Sequence, residues 1–229
     1  MSRATPLGGA ALGRYPLGVP IADIPLAGVI DTCSGNYTMP ADYIADIFAW
    51  GQGGTGASIS GLSAGGGGGA AGYSRLVLSR GTKVTWSAQG PLIGVLGANG
   101  NDGTATTVNV NGKIMTAGGG LGGSNVAALR STATGFQVNR YGGGSSEDGE
   151  FGGKKFGGSY LAGNGGGAGG FRDLFPGFTG GDGAADLSGG SGGPQVVPDY
   201  GGGGGAQSTG TQYSTWAGAG RVLILLYRI

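Results

Sequence analysis

The sequence predicts an all-β protein, an antiparallel sandwich carrying inserted glycine-rich segments. Three observations predict it. Short runs with alternating apolar and polar residues recur between turn residues. No stretch carries the apolar period of an amphipathic helix. Of 229 residues 60 are Gly and 9 are Pro, together about 30%, a level at which helices are broken and low complexity is the usual outcome. Disorder is opposed by a hydrophobic content of 38% and a net charge of +1, because disordered chains are apolar-poor and charged.

The strands follow in order. Residues 36–38 form a short strand that stops before Pro40. Residues 43–50 form a longer one that empties into glycine at Gly51, with Trp50 expected in the sandwich core. Residues 73–79 and 82–87 follow, the latter with Val84 and Trp86 on one face and Lys83, Thr85 and Ser87 on the other. The turn residues Arg80-Gly81 between them predict a hairpin. Residues 91–97 give a further strand, and residues 99–103 a turn cluster. Residues 104–111 alternate Thr with Val108 and Val110. Asn111-Gly112 is the strongest hairpin signal in the chain, and residues 113–117 return from it. Residues 221–228 are a continuous apolar run, as in a strand buried on both faces.

Residues 1–30 read as an extended N-terminal anchor arm and residues 31–229 as one glycine-rich β domain, with a glycine-rich insertion at 124–200. Pro16, Pro20 and Pro25 keep the arm out of helix. It retains Leu12, Tyr15, Leu17, Val19 and Ile21, with Arg14 among them, and has no fold of its own in which to bury them. These residues are therefore expected to gain order on another protein.

The glycine runs at 65–69, 118–120, 142–144, 165–167 and 201–205 lack the strict every-third-residue period of collagen. Chains in the polyproline II conformation have three residues per turn and no internal hydrogen bonds. Without Cβ atoms several such chains can lie side by side and pair their N–H and C=O groups with one another. The expectation is a set of short glycine helices whose ends are held by strands.

Composition excludes much chemistry. There is no His, which removes Ser-His and Cys-His catalysis and the commonest zinc sites. Cys33 is the single cysteine, so no intrachain disulfide forms. No cofactor, metal or catalytic site is expected, and the protein is read as a non-enzyme. Charged residues are 11%, against roughly 25% in ordinary soluble domains, which points to a homo-oligomer or assembly that hides much of its surface. Clustered Lys and Arg of the kind that neutralises phosphates are missing, so nucleic acid is not an expected partner. The start of the chain lacks the apolar core of a signal peptide, and no apolar run reaches the roughly 18 residues of a membrane span.

The remaining motifs read as structure. Residues 163–169 hold dinucleotide-loop spacing but no framing strand and helix. Asn99, Asn101 and Asp102 offer one carboxylate, too few for calcium, and read as turn residues. Glu147, Asp148 and Glu150 beside Lys154 and Lys155 read as a solvated loop. The segment Phe171, Arg172, Asp173, Leu174, Phe175, Pro176, Gly177, Phe178 sets three aromatics and an Arg in a glycine desert. One reading is a plug beneath its own loops. The other is an exposed patch, extended by Tyr141, Phe151, Phe156 and Tyr160, that contacts a receptor, a glycan or a sister chain.

Ser34-Gly35-Asn36-Tyr37-Thr38-Met39-Pro40-Ala41, a strand ending Ala49-Trp50-Gly51, the run Gly65–Gly69 and a final strand ending Tyr227-Arg228 form one pattern. It resembles the glycine-rich domain of bacteriophage tail fibres and related virion proteins, over roughly residues 32–123 and 201–229. The resemblance implies a jelly-roll-like sandwich with packed glycine helices. It also implies a location in the virion, as a fibre, spike or tail-tip component in host attachment. Implied partners are other virion proteins through the arm, a host surface receptor or glycan, and sister chains in a trimer. The alternative is an architectural decoration or connector protein without a receptor.

Overall fold

The computed structural model describes residues 26–61, 63–154, 165–175, 178–184, 200–204, 206–207 and 211–229. Its described elements are strands: β1 (Leu26–Thr32), β2 (Ser34–Thr38), β3 (Tyr43–Trp50), β4 (Ala71–Leu78), β5 (Lys83–Ser87), β6 (Thr106–Val110), β7 (Lys113–Ala117), β8 (Ala133–Thr134), β9 (Val138–Arg140) and β10 (Arg221–Arg228). They make two five-stranded antiparallel sheets, β1-β10-β3-β4-β9 and β2-β5-β6-β7-β8. The all-β sandwich expected from the sequence is therefore the fold.

The two sheets close on one apolar layer. The first sheet supplies Ala45, Ile47, Ala49, Leu78, Val222, Ile224 and Leu226. The second supplies Val84, Trp86, Val108, Met115 and Ala117. Phe136 joins them and lies over Gly72, where any Cβ would run into its ring. Asn111 and Gly112 both have positive φ (48° and 91°). That is the backbone of the two-residue turn expected between β6 and β7, whose twist matches a hairpin.

Three expectations change. Residues 26–30, read as part of the arm, belong to β1, which pairs with β10 from Leu26 to Thr32. The arm residues Leu12, Arg14, Tyr15, Leu17, Val19 and Ile21 lie outside the described residues. The connection at 79–82 is not a hairpin. β4 pairs with β3 and β9, β5 with β2 and β6, and the turn carries the chain from one sheet to the other. Alternation cannot separate the two cases, because Leu78 and Val84 face a shared interior in either. The run at 91–97 supplies only a single bridge, Leu92 to Ala217.

Beyond Trp50 the hydrogen-bond pattern changes period. Gly51, Gly54 and Ala57 donate to the carbonyls of Ala70, Gly67 and Ala64. Gln52, Thr55 and Ser58 donate to those of Thr104, Asn101 and Ala98, and Gly53 turns to Gly218. The neighbours 64–70 and 98–104 are each met every third residue and run antiparallel, while the one through Gly204 and Gln207 runs parallel. A strand meets neighbours on two sides, whereas a chain with three residues per turn presents donors in three directions. Segment 64–70 sits inside this stack. Ala64, Gly67 and Ala70 donate to Ser124, Leu121 and Gly118; Gly66 and Gly69 donate to Gly204 and Gly201; Gly68 donates to Gly143. The carbonyls of Gly66 and Gly69 in turn accept from Gly166 and Gly169. At about 3.1 Å per residue the stack carries the chain roughly 22 Å from Gly51 to Ser58.

Candidate functional site

The strongest sequence candidate was the aromatic segment, and its local fold decides its role. Leu174 and Phe175 donate their amides to the Phe171 carbonyl, and Phe178 donates to that of Phe175. The Phe171 amide closes back on the Phe178 carbonyl. This knot lays its rings on the outer face of the first sheet, where β3 presents Asp46, Phe48 and Trp50 and β4 presents Tyr73 and Arg75. Phe48 meets Phe171 edge-on at 5.6 Å between centroids, Phe175 at 5.0 Å and Phe178 at 4.7 Å. Phe171 is wholly buried and Phe175 nearly so.

Trp50 is thus buried, but on this outer layer and not between the sheets as expected. Both faces of β3 are covered: Ala45, Ile47 and Ala49 inside, Phe48 and Trp50 beneath the knot. The knot is a plug, and Phe171 and Phe175 cannot serve a surface. A Phe175→Leu exchange is expected to cost roughly 1.5 kcal/mol, a fall of about 3–6 °C in the thermal midpoint. Calorimetry checks it.

The rest of the expected patch divides. Arg172 is exposed and donates its backbone amide to the Phe151 carbonyl. Phe151 is exposed at φ 48°, with the Arg140 guanidinium 4.5 Å above its ring. Arg140 also pairs with Glu150 at 3.2 Å and with Asp173 at 2.6 Å. Tyr141, half-buried, lies under Arg130 at 4.6 Å, and Arg130 pairs with Glu147 at 2.8 Å. The hydrogen bond from Arg130 to Glu147 raises the guanidinium above its ordinary pKa. These residues form a neutralised rim of stacked arginines around the plug. Phe156 and Tyr160 lie outside the described residues.

At the sheet–stack junction Arg221 makes a two-point ion pair with Asp31 and stacks on Tyr200 at 4.2 Å. Its pKa is raised by the Asp31 hydrogen bond, against burial, which lowers it. This cation stays charged and braces the base of the stack.

Sequence reasoning missed a third group. At the far end of the stack Ser58 donates its amide to Ala98 (2.8 Å) and its hydroxyl to the Gln212 carbonyl, while Ala64 donates to Ser124. Ala128 donates to the Ser145 hydroxyl at 2.7 Å. These bonds gather several loops into one end surface, where Leu96 and Val126 are exposed at 46% and 67%. Leu121, Leu129 and Tyr213 are exposed along the flanks. Leu96 falls in the run read as a strand at 91–97, and the others follow no strand period, so only their apolar character amid glycine could have signalled them.

Among the described residues no group of three or more His, Cys, Asp or Glu side chains could hold a metal. Asp102 instead accepts the Gly122 amide at 2.7 Å, tying two segments of the stack together, and residues 99–103 run in the stack where the sequence predicts a turn cluster. The geometry defines an all-β protein of two antiparallel sheets, with a glycine stack that bears exposed apolar residues at its far end. No protein-family model and no curated protein matches the sequence.

Proposed function

We propose that the chain is a structural protein of a bacteriophage particle, a fibre, spike or tail-tip component that takes part in host attachment. The supporting observation is the exposed apolar set at the end of the glycine stack, Leu96 and Val126. Exposed apolar groups on a backbone-bonded support are the kind of surface that binding buries. The rim of Tyr141, Phe151 and Arg172 is a second contact area on the same half of the molecule. Leu26, the first described residue, lies at the opposite end of the sandwich, paired with Tyr227. That polarity suits a protein anchored in a particle at one end and presented at the other, in several copies.

Purified protein is expected to bind the susceptible bacterium and to block infection. Leu96→Asp with Val126→Asp should weaken binding by about tenfold or more, since two buried contacts are each replaced by a desolvated charge. The thermal midpoint should stay unchanged. An absence of cell binding at micromolar protein would favour the architectural decoration or connector reading, which the low charge content of 11% also supports.

A further inference from the structure

The end of the sandwich opposite the glycine stack carries a charge pattern of its own. Two of the four inter-sheet crossovers among the described residues lie here, 39–42 and 79–82, as do the Asn111-Gly112 turn, the start of β1 and the last residues of β10. The register fixes the set: Arg228 pairs with Tyr43, Tyr43 with Leu78, Thr38 with Lys83, and Val110 with Lys113. Arg80 stands in the crossover between β4 and β5. Arg228 and Lys113 occupy register positions that alternate with the core residues Leu226 and Met115 on the inward faces, so they project from the open end of the sandwich.

All four cations are exposed, and none forms an ion pair among the described residues. The side-chain carboxylate among them, Asp42, is already engaged, accepting the backbone amide of Arg80 at 2.7 Å. Elsewhere on the described surface the arginines are mostly neutralised: Arg130 by Glu147, Arg140 by Glu150 and Asp173, Arg221 by Asp31. In a chain with only 25 charged side chains out of 229, four cations against the one carboxylate of Asp42 leave this end net positive.

We propose that this end is a docking face for an acidic protein surface. Charge complementarity selects an anionic partner. The chain entering at the same end selects protein over nucleic acid. The 25 residues before Leu26 carry Leu12, Tyr15, Leu17, Val19 and Ile21, which a phosphate backbone cannot bury and an apolar groove can. The cations orient and accelerate the encounter. The face is a property of this chain whether or not the assembly is a phage particle.

The test uses the full chain and labelled poly-L-glutamate as the acidic probe, with binding followed by fluorescence anisotropy across salt. Binding should weaken steeply as salt rises. Arg80→Glu, Lys113→Glu and Arg228→Glu combined should weaken it by about tenfold or more without moving the thermal midpoint. The same three positions changed to Gln should give an intermediate loss. Lys154→Glu with Arg172→Glu, reversing exposed cations on the stack side, should change it by less than about twofold. Failure of poly-L-glutamate to bind at low salt, or an equal loss in the Lys154/Arg172 control, would overturn the assignment. Tighter binding of a DNA duplex than of poly-L-glutamate would overturn it in favour of nucleic acid. None of these readings depends on host-cell binding, so this proposal and the attachment reading fail separately.

Discussion

Gly66→Ala is expected to unfold the glycine stack and, with it, most of the protein's cooperative stability. A Cβ at Gly66 would fall on the Gly54 carbonyl, far inside any real carbon–oxygen contact, with the Thr55 carbonyl at 2.7 Å. The obstacle is backbone, so no side chain can rotate away. Gly66 also donates to Gly204 and accepts from Gly166, so shifting it breaks bonds to segments distant in sequence. Overpacking in ordinary cores costs about 1–3 kcal/mol, and a site walled by main chain lies above that range. Gly90→Ala is the matched control, because nothing lies within 4 Å of its Cβ position. Urea titrations should show little effect or a slight gain for Gly90→Ala, and for Gly66→Ala a collapse or loss of the folded baseline. Similar midpoints for the two would refute the close-packed stack.

Asp46→Ala is expected to cost about 3–5 kcal/mol. Asp46 and Arg75 lie opposite each other on β3 and β4, both almost completely buried. The carboxylate accepts from Arg75 Nε at 2.7 Å and Nη2 at 2.6 Å, and from the Tyr73 hydroxyl at 2.9 Å. Removing it takes away the guanidinium's two-point acceptor in a buried layer. Arg75→Met alone leaves the carboxylate with the Tyr73 hydroxyl as its remaining partner in this set and should cost a similar amount. The double variant Asp46→Leu/Arg75→Met should recover most of the loss, because two well-packed apolar groups often equal a buried ion pair. A double-mutant cycle by chemical denaturation measures the coupling. Additive losses would show that the pair does not act as a unit.

How much of this was legible depends on what each segment does. The apolar run of β10 and the crowded apolar positions of β3 announced central strands, and they are neighbours in the first sheet. The β6–β7 hairpin was legible because Asn-Gly states a backbone conformation as well as a polarity. β1 was not, since Gly28 and the prolines before it look like arm, and an edge strand needs few buried residues; five of its seven residues are exposed and none is fully buried. β8 and β9, of two and three residues, are too short to carry a period. The layer above Phe48 was half legible. Phe171, Phe175 and Phe178 stood out as apolar in a glycine-rich stretch, but nothing local says which surface they cover, because their partners come from β3 and β4. The end-surface role of Leu96 and Val126 was illegible: Leu96 sits in the run 91–97, which reads as a strand and supplies only one bridge, and Val126 lies in no periodic segment.

The bonds that hold segment 64–70 have a consequence for the order of assembly. Gly69 binds Gly201, Gly68 binds Gly143 and Gly67 binds Leu121, so almost no contact in the stack is local. Each bond closes a long loop whose entropic cost comes due before any compensating side-chain burial, because these residues have none to offer. A nucleus confined to the glycines is therefore inaccessible. The two sheets must form first and bring the segment ends together, after which the glycines lock in register one after another. Such a molecule folds from its apolar half outward, slowly for its size. The half furthest from the hydrophobic layers is then completed last.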